Sequence, residues 1–452
     1  MVFTGQSLLA YAKATVLLGL SITLFFAPFL TLLSYLNEPA LQSGDIPSFA
    51  SDWHHNLTER IEPWARERIA SRQAMGLNIN NISGTEWPIF TAVYYLWATE
   101  ALQEAWLKNP TLAPTMPTEY ANEAIEAAAA LVADPNHAAW VQQHWGDDYL
   151  QQENIFYRML LISGLTSYQK LSGRNKYQAL LSNQVEMLGE ELDASPHGLL
   201  DDYPGQCYPI DILPAIAAIQ RADRLLGKSR LGFVERSLRG FSGNRLDPAT
   251  QLPAYIAHSR SGVGIGPARG VGISYMLIWA PELWPEVASN WYGHYETHFW
   301  QAETAVSGVR EFAKAASQPE WAFEVDAGPV LAGYGTAASA FGIGAGRVNG
   351  RFDHAYPLSL EALVATWPLP NGTLLGPRLL SNLSDAPFIG EAILLFNFTR
   401  QLIIPPTPEA SAAQTSWPLV VYFGLAFYLI GGLAGLGMAA KAIKQASASA
   451  AQ

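Results

Sequence analysis

The sequence predicts an all-α fold, an (α/α)6 barrel with one N-terminal and one C-terminal transmembrane helix. Three observations predict it: an apolar run near each end, apolar positions at helical spacing through the middle, and six similar loop-to-helix junctions.

The first apolar run covers 15–36, about the ~20 residues that cross a bilayer, with Pro28 inside it as a kink point. It lacks the short apolar core and small-x-small site of a cleaved signal, so it reads as an anchor. The second run covers 417–440, carries Trp417, Tyr422 and Tyr428, and places Gly431 and Gly435 in a G-x-x-x-G pair. That pair offers a close approach to another helix, including one from a membrane-complex partner. Lys13 precedes the first run, Lys441 and Lys444 follow the second, and Glu38 lies on the opposite flank. The positive-inside rule then makes 1–14 and 441–452 cytoplasmic and 40–405 one extracytoplasmic domain, periplasmic or on the cell surface. The last residues, 446–452, are low in complexity and read as a disordered tail.

Between the spans, 121–132, 154–171, 177–192 and 212–226 are apolar at helical spacing, and Pro-rich connectors punctuate them. Six handovers from loop to helix stand roughly 60 residues apart, room for one helical hairpin each. They are Gly84-Thr-Glu-Trp-Pro, Glu153-Asn-Ile-Phe-Tyr, Gln206-Cys-Tyr-Pro-Ile-Asp, Gly266-Pro-Ala-Arg-Gly, Gly328-Pro-Val-Leu-Ala-Gly and Gly390-Glu-Ala-Ile-Leu. Six hairpins closing on themselves make the barrel. A two-domain solenoid competes with it but calls for tighter, more regular repeats of ~34–45 residues.

Composition narrows the function. Of 452 residues, 49% are hydrophobic, 12% aromatic and 15% charged, with a net charge of -12. Such a balance opposes nucleic-acid binding, which needs a basic stripe. Cys207 is the sole cysteine, so an intramolecular disulfide and a multi-cysteine metal site are excluded. His54 and His55 are adjacent, and His294 and His298 stand at i,i+4 with no evident third ligand, so no metal and no cofactor are expected. The glycines of 262–266 superficially match a dinucleotide fingerprint, but no strand precedes them.

The densest polar cluster is Asp201, Asp202, Tyr203, Gln206, Cys207, Tyr208 and Asp211, on the loop entering the helix at 212–226. Asp201, Asp202 and Cys207 are the catalytic candidates, expected to line the deepest pocket. An ionised Asp there is a general base, and Cys207 is a proton donor or pocket liner. The plainer reading makes Asp211 an N-cap and Asp201 or Asp202 a turn residue. Tyr203, Tyr208 and Asp211 are assigned to substrate binding, with Glu86, Trp87 and Tyr95 of the first handover, where aromatic faces beside an acid suit a sugar subsite or an ordinary core. Arg260 and Arg269 among glycines are candidates to clamp a carboxylate or phosphate, and Glu324 and Asp326 to add a second acid.

From Glu153 to about Pro253 the chain resembles the catalytic domain of the bacterial linalool dehydratase-isomerase family. The matching pieces are Glu153-Asn-Ile-Phe-Tyr157, Leu171-Ser-Gly-Arg-Asn-Lys-Tyr177, the Gly198-Leu-Leu turn, Gln206-Cys207 and Leu246-Asp-Pro248, with a weaker echo at Ala337-Ala-Ser-Ala-Phe341. The resemblance covers roughly half the chain and implies an (α/α)6 barrel. It also implies lyase or isomerase chemistry using two cysteines with an Asp, a Tyr and a His. Cys207 matches the second cysteine, and Asp201 stands where the first would be. The expected function is therefore acid/base chemistry in an axial pit on a small alcohol, a lipid-like molecule or a glycan. The alternative is a non-catalytic subunit of a larger membrane complex with a degenerate barrel site.

Overall fold

The computed structural model describes residues 5–78, 80–384, 386–407 and 416–450. Residues 1–4 and 451–452, parts of the two terminal segments read as cytoplasmic, lie outside the described residues. The chain is mostly helical, and the strands among the described residues form small antiparallel sheets of two or three strands.

Six helices start at or just after the six handovers: Trp87–Lys108, Ile155–Ser172, Pro209–Leu226, Gly270–Leu283, Thr336–Val348 and Ile389–Phe398. Each packs on the next in this order, and the sixth packs on the first. Pro88 and Pro209 stand in the first turn, where a missing N–H costs nothing. The Gly270–Leu283 helix is apolar almost all round and buried along nearly its whole length, as a helix enclosed by others must be. Its first residue has to be glycine: a Cβ there would sit 2.0 Å from the Arg310 carbonyl oxygen.

Helices with one wet face pack against these six. Asn122–Val132 lies on the Trp87 and Ile155 helices, Gln178–Ala194 on the Ile155 and Pro209 helices, Pro285–His298 on the Gly270 helix, and Phe352–Thr366 on the Thr336 helix. Ser48–Ser71 packs on Asn122–Val132 and on the Ile389 helix. His54 is sealed inside it, with Nδ1 2.7 Å from the Tyr120 hydroxyl and Nε2 2.7 Å from Thr99 Oγ1. Burial lowers its pKa to about 3.

Two stretches are long and apolar enough to cross a membrane, Leu8–Ser43 and Leu419–Ser447. The first combines Gly5–Ser21, a π-helical turn at Ile22–Phe26 and Ala27–Leu36. The second is one helix, Leu419–Ala450, so 446–450, expected as a disordered tail, continue it. Gly431 and Gly435 face the chain's own N-terminal helix: Cβ atoms there would lie 2.3 Å from Phe25 and 2.8 Å from Ser21. Ser21 Oγ donates to the Gly432 carbonyl at 2.7 Å in the same contact. The G-x-x-x-G face is thus filled within the chain.

Candidate functional site

A cavity of about 500 Å³ opens at the N-terminal ends of the six helices, and each handover, or the residue next to it, supplies its wall. Glu86 and Trp87 come from the first, Phe156 from the second, and Gln206 and Asp211 from the third. Val271 follows the fourth, Gly328 opens the fifth, Ile389 precedes the sixth and Ile393 lies within it. Below the handovers the wall continues at i,i+4 spacing: Glu86, Phe90, Tyr94; Val271, Tyr275; Ala337, Phe341.

The wall is largely aromatic, and its rings touch in sequence. His144 lies 4.8 Å from Tyr203, Tyr203 6.2 Å from Phe156, Phe156 5.4 Å from Phe90, and Phe90 5.5 Å from Tyr94. Tyr94 then meets Phe341 at 6.1 Å, and Phe341 meets Tyr275 at 5.1 Å. Among the described residues, three carboxyl groups break this surface: Glu86, Asp211 and Asp326. No lysine or arginine is among the lining residues.

Glu86 accepts a hydrogen bond from the Tyr203 hydroxyl. Burial raises its pKa to about 7, and Asp326 adds to the rise while the Tyr203 bond opposes it. Burial also holds Asp211 well above the usual carboxylate range, with help from the charges of Asp326 and Glu86. Asp326 accepts from the Tyr255 hydroxyl at 2.6 Å. Glu86 and Asp211 therefore keep protons near neutrality, and a group that holds a proton there can give it to a substrate.

The structure separates the candidates of the 201–211 loop. Tyr203, Gln206, Tyr208 and Asp211 line the cavity; Asp201, Asp202 and Cys207 lie behind the wall. Asp201 closes the turn by accepting from the Gly205 N–H at 2.8 Å, and its own N–H donates to Glu153 at 2.6 Å. Asp202 is 1% exposed and accepts the Tyr208 N–H at 2.6 Å. Cys207 is fully buried, its carbonyl accepting from the Ala257 N–H at 2.9 Å. Burial and the surrounding aspartates push its thiol far up, which favours S–H over thiolate.

Of the first-handover candidates, Glu86 and Trp87 line the cavity, but Tyr95 does not. It stacks on His54 at 5.0 Å and bonds Thr58 at 2.8 Å, and its neighbour Tyr94 takes the cavity position. Arg260 is exposed and outside the cavity. Arg269 is held by Glu311 at 2.7 Å and by Glu324, with its guanidinium 4.7 Å from the Tyr255 ring. Both Arg269 and Glu324 are therefore spent on structure that supports Tyr255 and, through it, Asp326.

One group has metal-ligand spacing among the described residues, Glu296, Asp353 and His354. Arg351 already reaches both carboxylates, at 2.6 Å and 2.7 Å, and supplies the positive charge such a group needs.

No protein-family model matches the chain, and no match is found among curated proteins.

Proposed function

We propose that the chain is a membrane-anchored (α/α)6-barrel enzyme that performs acid/base chemistry on an alcohol in this cavity. The six helices and their closed order of contacts support the barrel. The resemblance of 153–253 to the linalool dehydratase-isomerase family supports the same scaffold and a lyase or isomerase type of reaction.

The observation that carries the reading is the convergence of Glu86 and Asp211, both with raised pKa, on an open aromatic cavity. The charge of Glu86 helps hold Asp211 in its protonated form, so the two offer an acid and a base together. Asp211, held protonated by burial and by its acidic neighbours, gives its proton to the substrate hydroxyl. The C–O bond breaks and water leaves. Glu86, ionised and accepting from the Tyr203 hydroxyl, takes a proton from the adjacent carbon, and the electrons of that C–H bond form the new double bond. Faces of Phe90, Tyr94 and Phe341 stabilise the positive charge that develops on carbon. Convergence of the acids on an open cavity favours an enzyme over a degenerate accessory subunit.

Both termini are proposed to be cytoplasmic and the body extracytoplasmic, from Lys13, Lys441 and Lys444. The test incubates the detergent-solubilised full chain with a panel of allylic alcohols and a panel of oligosaccharides. Products are read by gas chromatography with mass spectrometry and by reducing-end formation. Diene or isomer formation that Glu86→Gln and Asp211→Asn each reduce by at least 100-fold supports the reading. Cleavage of the oligosaccharides replaces the lyase or isomerase with a glycan-active enzyme, and an inert protein that retains a stoichiometric partner replaces it with the accessory subunit.

A further inference from the structure

The cavity end of the body is also the end from which the two apolar helices project. Arg347, at the last turn of the Thr336–Val348 helix, donates to the carbonyls of Ala40 at 3.2 Å and Asp45 at 2.5 Å. Residues 40–45 therefore sit at the end away from the cavity. The N-terminal helix then passes along Phe352–Thr366 until Leu24 meets Trp367, just past the end of that helix. Phe352–Thr366 returns from the Thr336 helix through the short turn 349–351, so Trp367 lies at the cavity end. The C-terminal helix makes the same climb: Trp417 bonds Tyr356 near the start of Phe352–Thr366, and Tyr428 bonds the Val364 carbonyl near its finish. Residues before Leu24 and after Tyr428 continue past the cavity end, packed on each other.

Those projecting parts are too short to hold a bilayer by themselves. Lys13 to Leu24 is eleven residues, about 17 Å, and Tyr428 to Lys441 is thirteen, about 20 Å, at ~1.5 Å per residue. The hydrocarbon layer is about 30 Å thick. With Lys13 and Lys441 at one face, the opposite face falls roughly 10 Å past Trp367, alongside the body.

The surface at that level carries two exposed apolar patches beside the exposed polar run 314–320. The hairpin of strands Ala322–Glu324 and Gly328–Leu331 supplies Asp326 and Gly328 to the cavity wall and exposes Trp321 at 69% and Phe323 at 72%. The helix Leu375–Leu383 leads into Ile389, another wall residue, and exposes Leu379, Leu380 and Leu383 at 51%, 69% and 85%. Its Arg378 turns inward to Glu391 at 2.8 Å. A short helix with leucines outward and its charge inward has the pattern of an element lying in a lipid interface.

We propose that the cavity end is seated in the leaflet away from Lys13, with the Trp321–Phe323 hairpin and the Leu375–Leu383 helix dipping into lipid. The cavity mouth then opens onto the bilayer, and its ligand is a membrane-dissolved amphiphile that enters chain-first against the aromatic wall. The ligand part rests on the acid/base reading of the cavity; the seating does not.

The test uses the full chain in phosphatidylcholine nanodiscs. Phe323→Cys, Leu380→Cys and Leu383→Cys each carry an environment-sensitive fluorophore, with Leu231→Cys (86% exposed at the far end) as control. Buried Cys207 leaves the introduced thiol as the reactive one. Doxyl-labelled lipid is expected to quench the first three at least threefold more than Leu231→Cys; equal quenching overturns the seating. Wild-type chain with a lipid-borne diazirine probe needs no variant. Photolabel on the peptides carrying Phe323 and Leu380 supports the seating, and its absence from both overturns it. Label on the peptide carrying Phe90 and Tyr94 supports entry of a lipid chain, and its absence overturns that entry. Glu86→Gln is expected to leave the quenching pattern unchanged. An inert alcohol panel with the pattern intact thus counts against the chemistry alone, and turnover without the pattern counts against the seating alone.

Discussion

Trp367 donates its indole N–H to the carbonyl of Leu24 at 2.7 Å, joining the body to the middle of the N-terminal apolar helix. In an α-helix that carbonyl would accept from residue 28, which is proline and has no N–H. The π-helical turn at Ile22–Phe26 marks the same disturbance, and Trp367 fills the acceptor from outside the helix. Its ring also meets Phe25 at 5.8 Å and Phe427 at 5.5 Å, so one side chain ties both apolar helices to the body.

Trp367→Phe keeps most of the ring contact and removes the donor. It is expected to lower stability by about 1–3 kcal/mol, read as thermal unfolding in detergent, because a carbonyl away from water is left unmatched. Pro28→Ala in the same background returns an N–H to position 28 and is expected to recover part of that loss. Strictly additive effects of the two changes would mean that Trp367 acts through packing alone.

Glu86 makes stability depend on pH in a defined direction. Its folded-state pKa is about 7, against an ordinary 4.5, with burial as the main cause. Between those values the folded state holds a proton that the unfolded state releases, so stability falls as pH rises from about 4.5 to about 7 and the loss is complete above that window. A shift of this size corresponds to roughly 3 kcal/mol, reduced to about 2 by the water that the open cavity admits. Glu86→Gln is expected to flatten that part of the curve of melting temperature against pH. A curve as steep as the wild type's would assign the dependence to another acid.

Much of the site was legible because handovers mark where helices begin, and helix N-termini face the cavity. Composition at those points leads to Glu86, Trp87, Tyr203, Tyr208, Asp211 and Asp326, all in its wall. What lay deeper was a matter of helical phase. Tyr94 and Tyr95 are alike in sequence, but one residue is a rotation of about 100°, which turns one to the cavity and the other to His54. The i,i+4 steps from Glu86 to Phe90 and Tyr94 carried that phase and would have identified Tyr94. The Asp201 and Cys207 positions depend on a tight turn whose hydrogen bonds point inward, which no spacing announces. Similarly, Arg269 finds Glu311 and Glu324 far along the chain, so its availability to an anion could not be judged locally.

For Asp201 and Cys207 the geometry favours support over chemistry. Asp201→Ala loses the bond to the Gly205 N–H and is expected to cost about 1–2 kcal/mol in unfolding free energy, whereas Asp201→Asn keeps an acceptor and costs less. The thiol of Cys207, 0% exposed, is expected to resist maleimide in the folded protein and to react once denatured. Rapid labelling in the folded state would place it in an accessible site after all.

The last prediction distinguishes an anion clamp from a structural pair at Arg269. Glu311 is 0% exposed, accepts Arg269 Nε at 2.7 Å, and has its pKa raised to about 7 chiefly by burial, against the pull of Arg269. Removing the guanidinium leaves a buried carboxyl without its partner, and such a break costs about 3–5 kcal/mol. Arg269→Gln is therefore expected to lower the melting temperature strongly, and more at pH 8 than at pH 5, where protonated Glu311 no longer needs a cation. Adding Glu311→Gln to that variant removes the unpaired charge and is expected to restore a large share of the stability. The double change still loses the guanidinium face 4.7 Å from Tyr255, so recovery is expected to be incomplete. If Arg269→Gln instead leaves unfolding unchanged at both pH values and abolishes binding of inorganic phosphate or acetate, Arg269 is a ligand-facing cation and its pairing with Glu311 is dispensable.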